Sequence, residues 1–294
     1  MPQMTARSVI TGIKCGQAMR RHVVRCSPET PIDRSIAAMI KHKSNALLID
    51  SPDLDPFQRG VVSKTDLCAV YCASLPLSTP VGEVRNAPVQ SCLETDKLET
   101  ALELMAERDV RRVYVGREDT DILTGVLSHF DVAGLIYRIC RKCRQGKSRG
   151  LESDGPVPWK VKDVMSPSVL AYRRDRPLSE VVEGLIAHHV GAVLITDSAG
   201  RPSGVLSKAN IILAYRHGLE PDSAAGEAMT SSVISIAQEE LLSEALRRMI
   251  AADIQRVFVE AQNRDRIVGV LSLTDASRTK SGTCKACKAA RVEL

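Results

Sequence analysis

Aromatic residues are scarce in this chain: one Trp, five Tyr and three Phe among 294 residues, or 3%. The core must therefore be aliphatic, and stacking of bases on aromatic platforms is a poor basis for its function. No apolar run approaches the roughly 20 residues needed to cross a bilayer, so a membrane protein is not expected. The opening MPQMTARSVITGIKCG has no long apolar stretch and does not read as a secretory signal. A cytoplasmic protein is expected. Neither a Walker-type glycine loop nor an H-E-x-x-H zinc motif occurs. Charge of one sign is missing as well: 40 basic residues against 35 acidic leave only +5. What is present is an ordinary globular balance, 44% hydrophobic and 26% charged, which excludes a disordered or collagen-like chain. Cysteine is plentiful, with nine residues. In a cytosolic chain these are expected to be buried, metal-bound or redox-active rather than a disulfide framework.

The sequence is a repeat. The segment Gly60-Val61-Val62-Ser63-Lys64-Thr65-Asp66 recurs as Gly125-Val126-Leu127-Ser128-His129-Phe130-Asp131. It returns as Gly204-Val205-Leu206-Ser207-Lys208-Ala209-Asn210 and as Gly269-Val270-Leu271-Ser272-Leu273-Thr274-Asp275. Asp66, Asp131, Asn210 and Asp275 fall 65, 79 and 65 residues apart, so the units form two pairs with a linker between them. A shift of 144 residues maps Ser63 to Ser207, Arg112 to Arg256 and Asp131 to Asp275. Nearer the start of each half the shift is 146, mapping Met19 to Met165.

Each unit follows one local grammar. An extended stretch comes first. Apolar residues at helical spacing follow, as in Leu98, Ala101, Leu102 and Met105, or Leu242, Ala245, Leu246 and Met249. A β-branched run is next, such as Val193-Leu194-Ile195 or Val257-Phe258-Val259. Polar turns lead into the G-V-L-S strand, and a second helix begins near the Asp, which suits an N-cap. The pattern predicts β-α-β-β-α in about 60 residues. The expected boundaries are 1–78, 79–140, 159–221 and 222–279 for repeats 1 to 4. Residues 141–158 form a basic Gly/Pro linker, and 280–294 a basic tail.

Four such copies resemble cystathionine-β-synthase (CBS) domains arranged as two tandem pairs, or Bateman modules. The resemblance implies an α+β fold with internal pseudo-twofold symmetry, and adenosyl ligands in clefts between paired repeats. AMP, ADP, ATP, S-adenosylmethionine and NADH are the ligands it suggests. It also implies roles for particular residues. The motif Ser and Asp would face a cleft, the carboxylate accepting both ribose hydroxyls because it is an acceptor only. Here these are Ser63 and Asp66, Ser128 and Asp131, Ser207 and Asn210, and Ser272 and Asp275. Asn210 departs from the pattern and brings an NH₂ where an acceptor is wanted. The bland alternative is that each Ser and Asp merely caps its helix.

Phosphates would meet Arg111 and Arg112 in repeat 2 and Arg256 in repeat 4, residues resembling the family's His-Arg pair. The guanidinium fork suits bidentate phosphate binding. The preferred cleft combines Asp66 with Arg111 and Arg112. Basic neighbours for the other clefts would come from His42 and Lys43, or from His188 and His189, although capping is the plainer role for these.

Two Cys-x-x-Cys elements, Cys140/Cys143 and Cys284/Cys287, are also related by the 144-residue shift. Four thiolates brought together by symmetry would bind Zn²⁺ tetrahedrally. Packing on a helix face, or disulfide formation, are the alternatives. Arg and Lys crowd the same segments, a pattern able to contact nucleic-acid phosphates. The expected function is thus a stand-alone regulator that binds an adenosyl ligand and is read by a partner protein, possible homodimer formation included. The alternative is a nucleic-acid-binding protein that uses the basic Cys-rich patch. An enzyme is not expected, because the repeats consume almost the whole chain.

Overall fold

The computed structural model of the chain describes residues 10–147, 158–262 and 266–278, the side chains of 142–147 and 278 excepted. A short helix α1 (Cys15–Ala18) precedes the first repeat, which runs β1 (Arg25–Cys26), α2 (Ile32–Lys41), β2 (Ala46–Ile49), β3 (Gly60–Ser63) and α3 (Lys64–Cys72). The second runs β4 (Ser91–Leu93), α4 (Leu98–Glu107), β5 (Arg112–Gly116), β6 (Leu123–Ser128) and α5 (His129–Lys147). The third comprises β7 (Ala171–Arg173), α6 (Leu178–Ala187), β8 (Ala192–Thr196), β9 (Pro202–Ser207) and α7 (Lys208–Arg216). Helix α8 (Ala225–Ala228) leads to the fourth: β10 (Ser235–Ala237), α9 (Leu242–Ala251), β11 (Arg256–Glu260), β12 (Ile267–Ser272) and α10 (Leu273–Arg278). Each repeat is β-α-β-β-α, as its pattern predicts. Among the described residues, no helix is long and apolar enough to cross a membrane.

Each sheet has three strands. The first and second are parallel because a helix crosses between them, and the second and third form an antiparallel hairpin. The helical spacing read from the sequence marks the buried face: Leu98, Ala101, Leu102 and Met105 of α4 are buried, as are Leu242, Ala245, Leu246 and Met249 of α9. Burying one such large side chain is worth about 1.5–3 kcal/mol. The hairpin register sets the first residue of the middle strand opposite the motif serine: Arg112 faces Ser128 and Arg256 faces Ser272. In repeats 1 and 3 that place is taken by Ala46 and Ala192.

The segment leading into each repeat docks on a different sheet from the one it precedes. Cys15 donates its N–H to Asp96 O at 2.9 Å, and Val161 donates to Glu240 O at 2.9 Å. Val81 and Ala225 make the matching bonds to Thr30 O and Arg176 O. Residues leading into repeat 1 thus pack on repeat 2 and the reverse, and repeats 3 and 4 exchange in the same way. The motif glycine exists for this contact. A Cβ on Gly125 would lie 2.3 Å from Met19 Sδ and 3.0 Å from Arg20 O; on Gly269 it would lie 2.7 Å from both Met165 Sδ and Ser166 O. Only glycine lets the lead-in backbone lie against the strand.

The chain forms two compact units. One holds residues up to 22, 90–168 and 234 onward; the other holds 23–89 and 169–233. The first therefore contains repeats 2 and 4, the second repeats 1 and 3. In the second unit one core runs through both repeats, with Ile36, Leu47 and Leu67 alongside Leu185, Val193 and Ile211. Its contacts are reciprocal: Tyr71 Oη donates to Leu219 O, and Tyr215 Oη donates to Leu75 O. The 144-residue shift maps each of these bonds onto the other, which is the mark of a pseudo-twofold axis. In the first unit the apolar residues fall into two clusters, one around Leu98, Met105 and Leu127 and one around Leu246, Met249 and Leu271. Helix α5 packs against α10 and α9 there.

Candidate functional site

In every repeat the strand ends on the motif serine and a helix starts at once. Its first N–H groups have no partner within the helix, and the motif supplies one. The Ser N–H donates to the fourth-position side chain, at 2.6 Å for Ser63 to Asp66 and 2.9 Å for Ser128 to Asp131. The same bond is 3.0 Å for Ser207 to Asn210 and 2.9 Å for Ser272 to Asp275. Three of the serine hydroxyls also donate to that oxygen, at 2.5–2.6 Å. The helix-capping reading is thus realised in all four copies. Asn210 serves as well as Asp because only one oxygen is needed, and its Nδ2 is taken by Thr230 Oγ1 at 3.1 Å.

Capping uses one oxygen and leaves the other for a second donor. In Asp131, which is buried, Oδ1 accepts from Arg20 Nε at 2.8 Å. Arg112 completes this group. Burial lowers its pKa, Arg20 adds to the lowering, and Tyr114 and Asp131 oppose it. Arg20 is a residue that the repeat register passes over. Its counterpart under the 146-residue shift is Ser166, so a search for duplicated positions does not find it.

Repeat 4 contributes a different group to the same unit. Arg256 is partly buried, and its pKa is drawn down to about 10, first by burial and then by the charge of Arg111, with Asp275 opposing. Arg111 is an exposed residue of repeat 2, so the even repeats converge at their arginines. Burial and a second guanidinium both disfavour the charged form of Arg256, which Asp275 opposes. Such an arrangement is suited to an anion with several oxygens.

The other candidates are placed as follows. Asp66 and Asn210 lie in the unit of repeats 1 and 3, whereas Arg111, Arg112 and Arg256 lie in the unit of repeats 2 and 4. The expected set of Asp66 with Arg111 and Arg112 is therefore not a grouping within either unit. Near Asp66 the cation is Lys208, which is buried and donates to Thr65 Oγ1 at 2.9 Å. His42 and His188 stand at the C-caps of α2 and α6. Lys43 and His189 follow with φ of 48° and 51°, closing those helices.

Cys140 is buried on α5 in the core cluster with Leu135, Ile136 and Ile139. The side chain of Cys143, and all of Cys284 and Cys287, lie outside the described residues. Among the described residues no three His, Cys, Asp or Glu side chains are grouped to hold a metal ion. The expected Cys₄ site thus has one ligand that packs in a core.

A family model, described as the CBS domain, matches residues 15–72, 81–138, 161–217 and 225–281. The chain belongs to the CBS-domain family. Its four CBS repeats form two tandem pairs in an α+β fold. A search of the curated proteins finds no match to this chain. Among solved structures, one from Methanocaldococcus jannaschii, described as a candidate archaeal homolog of g-AMPK, has a TM-score of 0.73 at 15% identity, covering 91% of this chain and 99% of its own. An uncharacterized conserved protein from Pyrococcus horikoshii has a TM-score of 0.57 at 16% identity with the same coverage. Both share the CBS fold over nearly the whole length. A CBS domain pair from Methanocaldococcus jannaschii, solved with 5-methylthioadenosine and S-adenosyl-L-methionine, covers 42% of this chain at 25% identity and a TM-score of 0.38.

Proposed function

We propose that this CBS protein is a regulator that takes an adenosyl ligand carrying phosphate. The observation that carries the reading is the ladder register that sets Arg256 opposite Ser272, whose N–H is capped by Asp275; the charge of Arg111 also acts on the partly buried Arg256. A polyphosphate or monophosphate relieves the repulsion between the two cations and gains bidentate hydrogen bonds. The second oxygens of Asp66, Asp131 and Asp275 are the acceptors for ribose hydroxyls, with Ser63, Ser128 and Ser272 fixing each carboxylate. Ser207 and Asn210 fix a weaker acceptor, because Asn210 offers one oxygen already used in capping. Arg112 is the second phosphate-binding cation, in balance with Arg20 and Asp131.

Metal-ligand chemistry is not part of this reading, because Cys140 is committed to packing. The nucleic-acid alternative gains nothing from the described residues, since the side chains of most of its basic residues are not among them. Regulation of a partner protein remains the consequence of ligand binding rather than an observation.

The test is a thermal-shift series with AMP, ADP, ATP, S-adenosylmethionine and NADH on the full chain. A phosphate-bearing adenosyl ligand raises Tm, and Arg256→Gln removes at least tenfold of the affinity. A panel with no shift overturns the reading, and so does a ligand whose affinity is untouched by Arg111→Gln and Arg256→Gln together.

A further inference from the structure

Cys15 and Cys92 are separated by more than a whole repeat in sequence but belong to one core cluster. Cys15 opens α1, which docks on the repeat 2 sheet through Cys15 N–H to Asp96 O at 2.9 Å and Gly16 N–H to Glu94 O at 3.0 Å. Cys92 is the middle residue of β4, the strand that ends beside those carbonyls. Both belong to one core cluster, with exposures of 0% and 8%. Helix α1 is thus held against the end of β4, and the two thiols act on one another electrostatically within that cluster. The Cys15 thiol donates to Lys97 O at 3.5 Å.

The other half of the molecule supplies an internal control. The same docking recurs in repeat 4, where Val161 N–H donates to Glu240 O at 2.9 Å and Lys162 N–H to Gln238 O at 3.0 Å. The residues at the places of Cys15 and Cys92 are Val161 and Ile236, exposed by 0% and 1% and packed in one cluster. The fold thus asks only for two apolar side chains in contact. Repeat 2 meets that need with two thiols, a choice that packing alone does not require.

We propose that Cys15 and Cys92 are a redox modification site, closed to an intrachain disulfide by a peroxide. The Cys15 thiolate attacks one peroxide oxygen; the O–O bond breaks, and hydroxide leaves and takes a proton from solvent as water. Cys92 sulfur then attacks the resulting sulfenic sulfur. The S–S bond forms, the S–O bond breaks, and a second water leaves with the Cys92 proton. Two thiols and one peroxide give one disulfide and two waters, and a dithiol reductant reverses the change. Cys92 holds the Cys15 thiol below its ordinary range, against burial, Asp96 and Glu99, which push it up. Access comes from local opening of α1, a four-residue helix near the start of the chain.

The lead-in segment carries the effect further. Five residues beyond Cys15, Arg20 pairs with Val126 in a backbone bridge and with Asp131 in an ion pair. A disulfide that anchors α1 to β4 therefore anchors the guanidinium that competes for the Asp131 carboxylate. This consequence rests on the ribose role proposed for Asp131; the disulfide does not.

Hydrogen peroxide treatment of the full chain, alkylation and tryptic digestion without reductant test the proposal by mass spectrometry. The expected product joins peptide 15–20 to peptide 86–97, and it is lost after dithiothreitol. It is absent from the Cys15→Val and Cys92→Ile variants, which copy repeat 4 and keep its packing. In oxidised wild type, amide exchange across 15–20 slows at least tenfold. Peroxide that leaves these two peptides unlinked, as free thiols, separate sulfinic acids or partners of other cysteines, overturns the proposal. If the link forms but no nucleotide binds either redox form, the ligand reading fails and the modification site stands.

Discussion

Repeats 2 and 4 occupy one unit with the same topology and the same ladder register, yet they spend their polar residues differently. Repeat 2 balances Asp131 with Arg20 and places thiols where repeat 4 has Val161 and Ile236. Repeat 4 has Ser166 in place of Arg20, but it sets Glu244 between Arg247 and Arg248 at 2.7 and 3.0 Å. The corresponding position in repeat 2 is Thr100. Backbone pairings and core contacts are common to the two copies because they define the fold. Charges at the rim are not, because exposed pairs contribute little to folding and are free to serve binding.

The largest effect expected is one in which the two repeats agree. Leu127→Ala and Leu271→Ala remove fully buried residues at matching places, and each should lower stability by about 2–5 kcal/mol. Urea titration checks this, and a difference above about 1.5 kcal/mol would mean that the two clusters are not packed alike. A smaller and unequal effect is expected at the motif glycines. In Gly269→Ala the new methyl meets backbone Ser166 O at 2.7 Å, whereas in Gly125→Ala the backbone Arg20 O is 3.0 Å away and the closer atoms belong to the unbranched Met19 side chain. Losses of about 3 and about 1 kcal/mol follow from overpacking, measured by the same titration.

Next come the caps. Asp131→Ala and Asp275→Ala should each cost about 1 kcal/mol, with Asp131→Ala the more severe because it also strands Arg20. Asp131→Asn should recover most of the loss, since Asn210 caps α7 with the same geometry. Thermal melts of the three variants decide the point. The smallest effect is electrostatic. Arg247 and then Arg248 hold Glu244 down at about 2, against some desolvation. A depressed carboxyl stabilises the fold above its ordinary pKa of 4.5, and that contribution fades as pH falls toward 2. Wild type should therefore exceed Glu244→Gln by less than about 1 kcal/mol at pH 7, and the gap should close in acid. Thr100→Gln in repeat 2 should show no such dependence.

Much of this was legible beforehand. The 65-residue spacing gave the repeats, and the 3.6-residue periodicity of α4 and α9 gave their buried faces. Arg112 and Arg256 stood out because they recur, and the hairpin register does place both opposite the motif serine. Other parts were hidden for a physical reason. Arg20 has no duplicate, so no register could single it out. Cys15 and Cys92 have unrelated sequence contexts, and their meeting depends on α1 docking away from the repeat that follows it. The motif glycine was visible in sequence, but its purpose was not, because the atoms that demand it belong to a lead-in segment remote in the chain: 103–106 residues earlier for Gly125 and Gly269, and 25–26 residues later for Gly60 and Gly204.

The sequence by itself determined the four-fold repetition, the β-α-β-β-α order and the identity of the capping residues, since each depends on neighbours within a few turns of chain. Only the tertiary structure decided which repeats share a compact unit: 2 with 4 and 1 with 3, rather than neighbours along the chain. It also decided which charges confront one another. Those outcomes depend on how apolar helix faces such as α5 and α10, or α3 and α7, pair in space. Local sequence makes such faces sticky, but it does not say to which partner they will adhere.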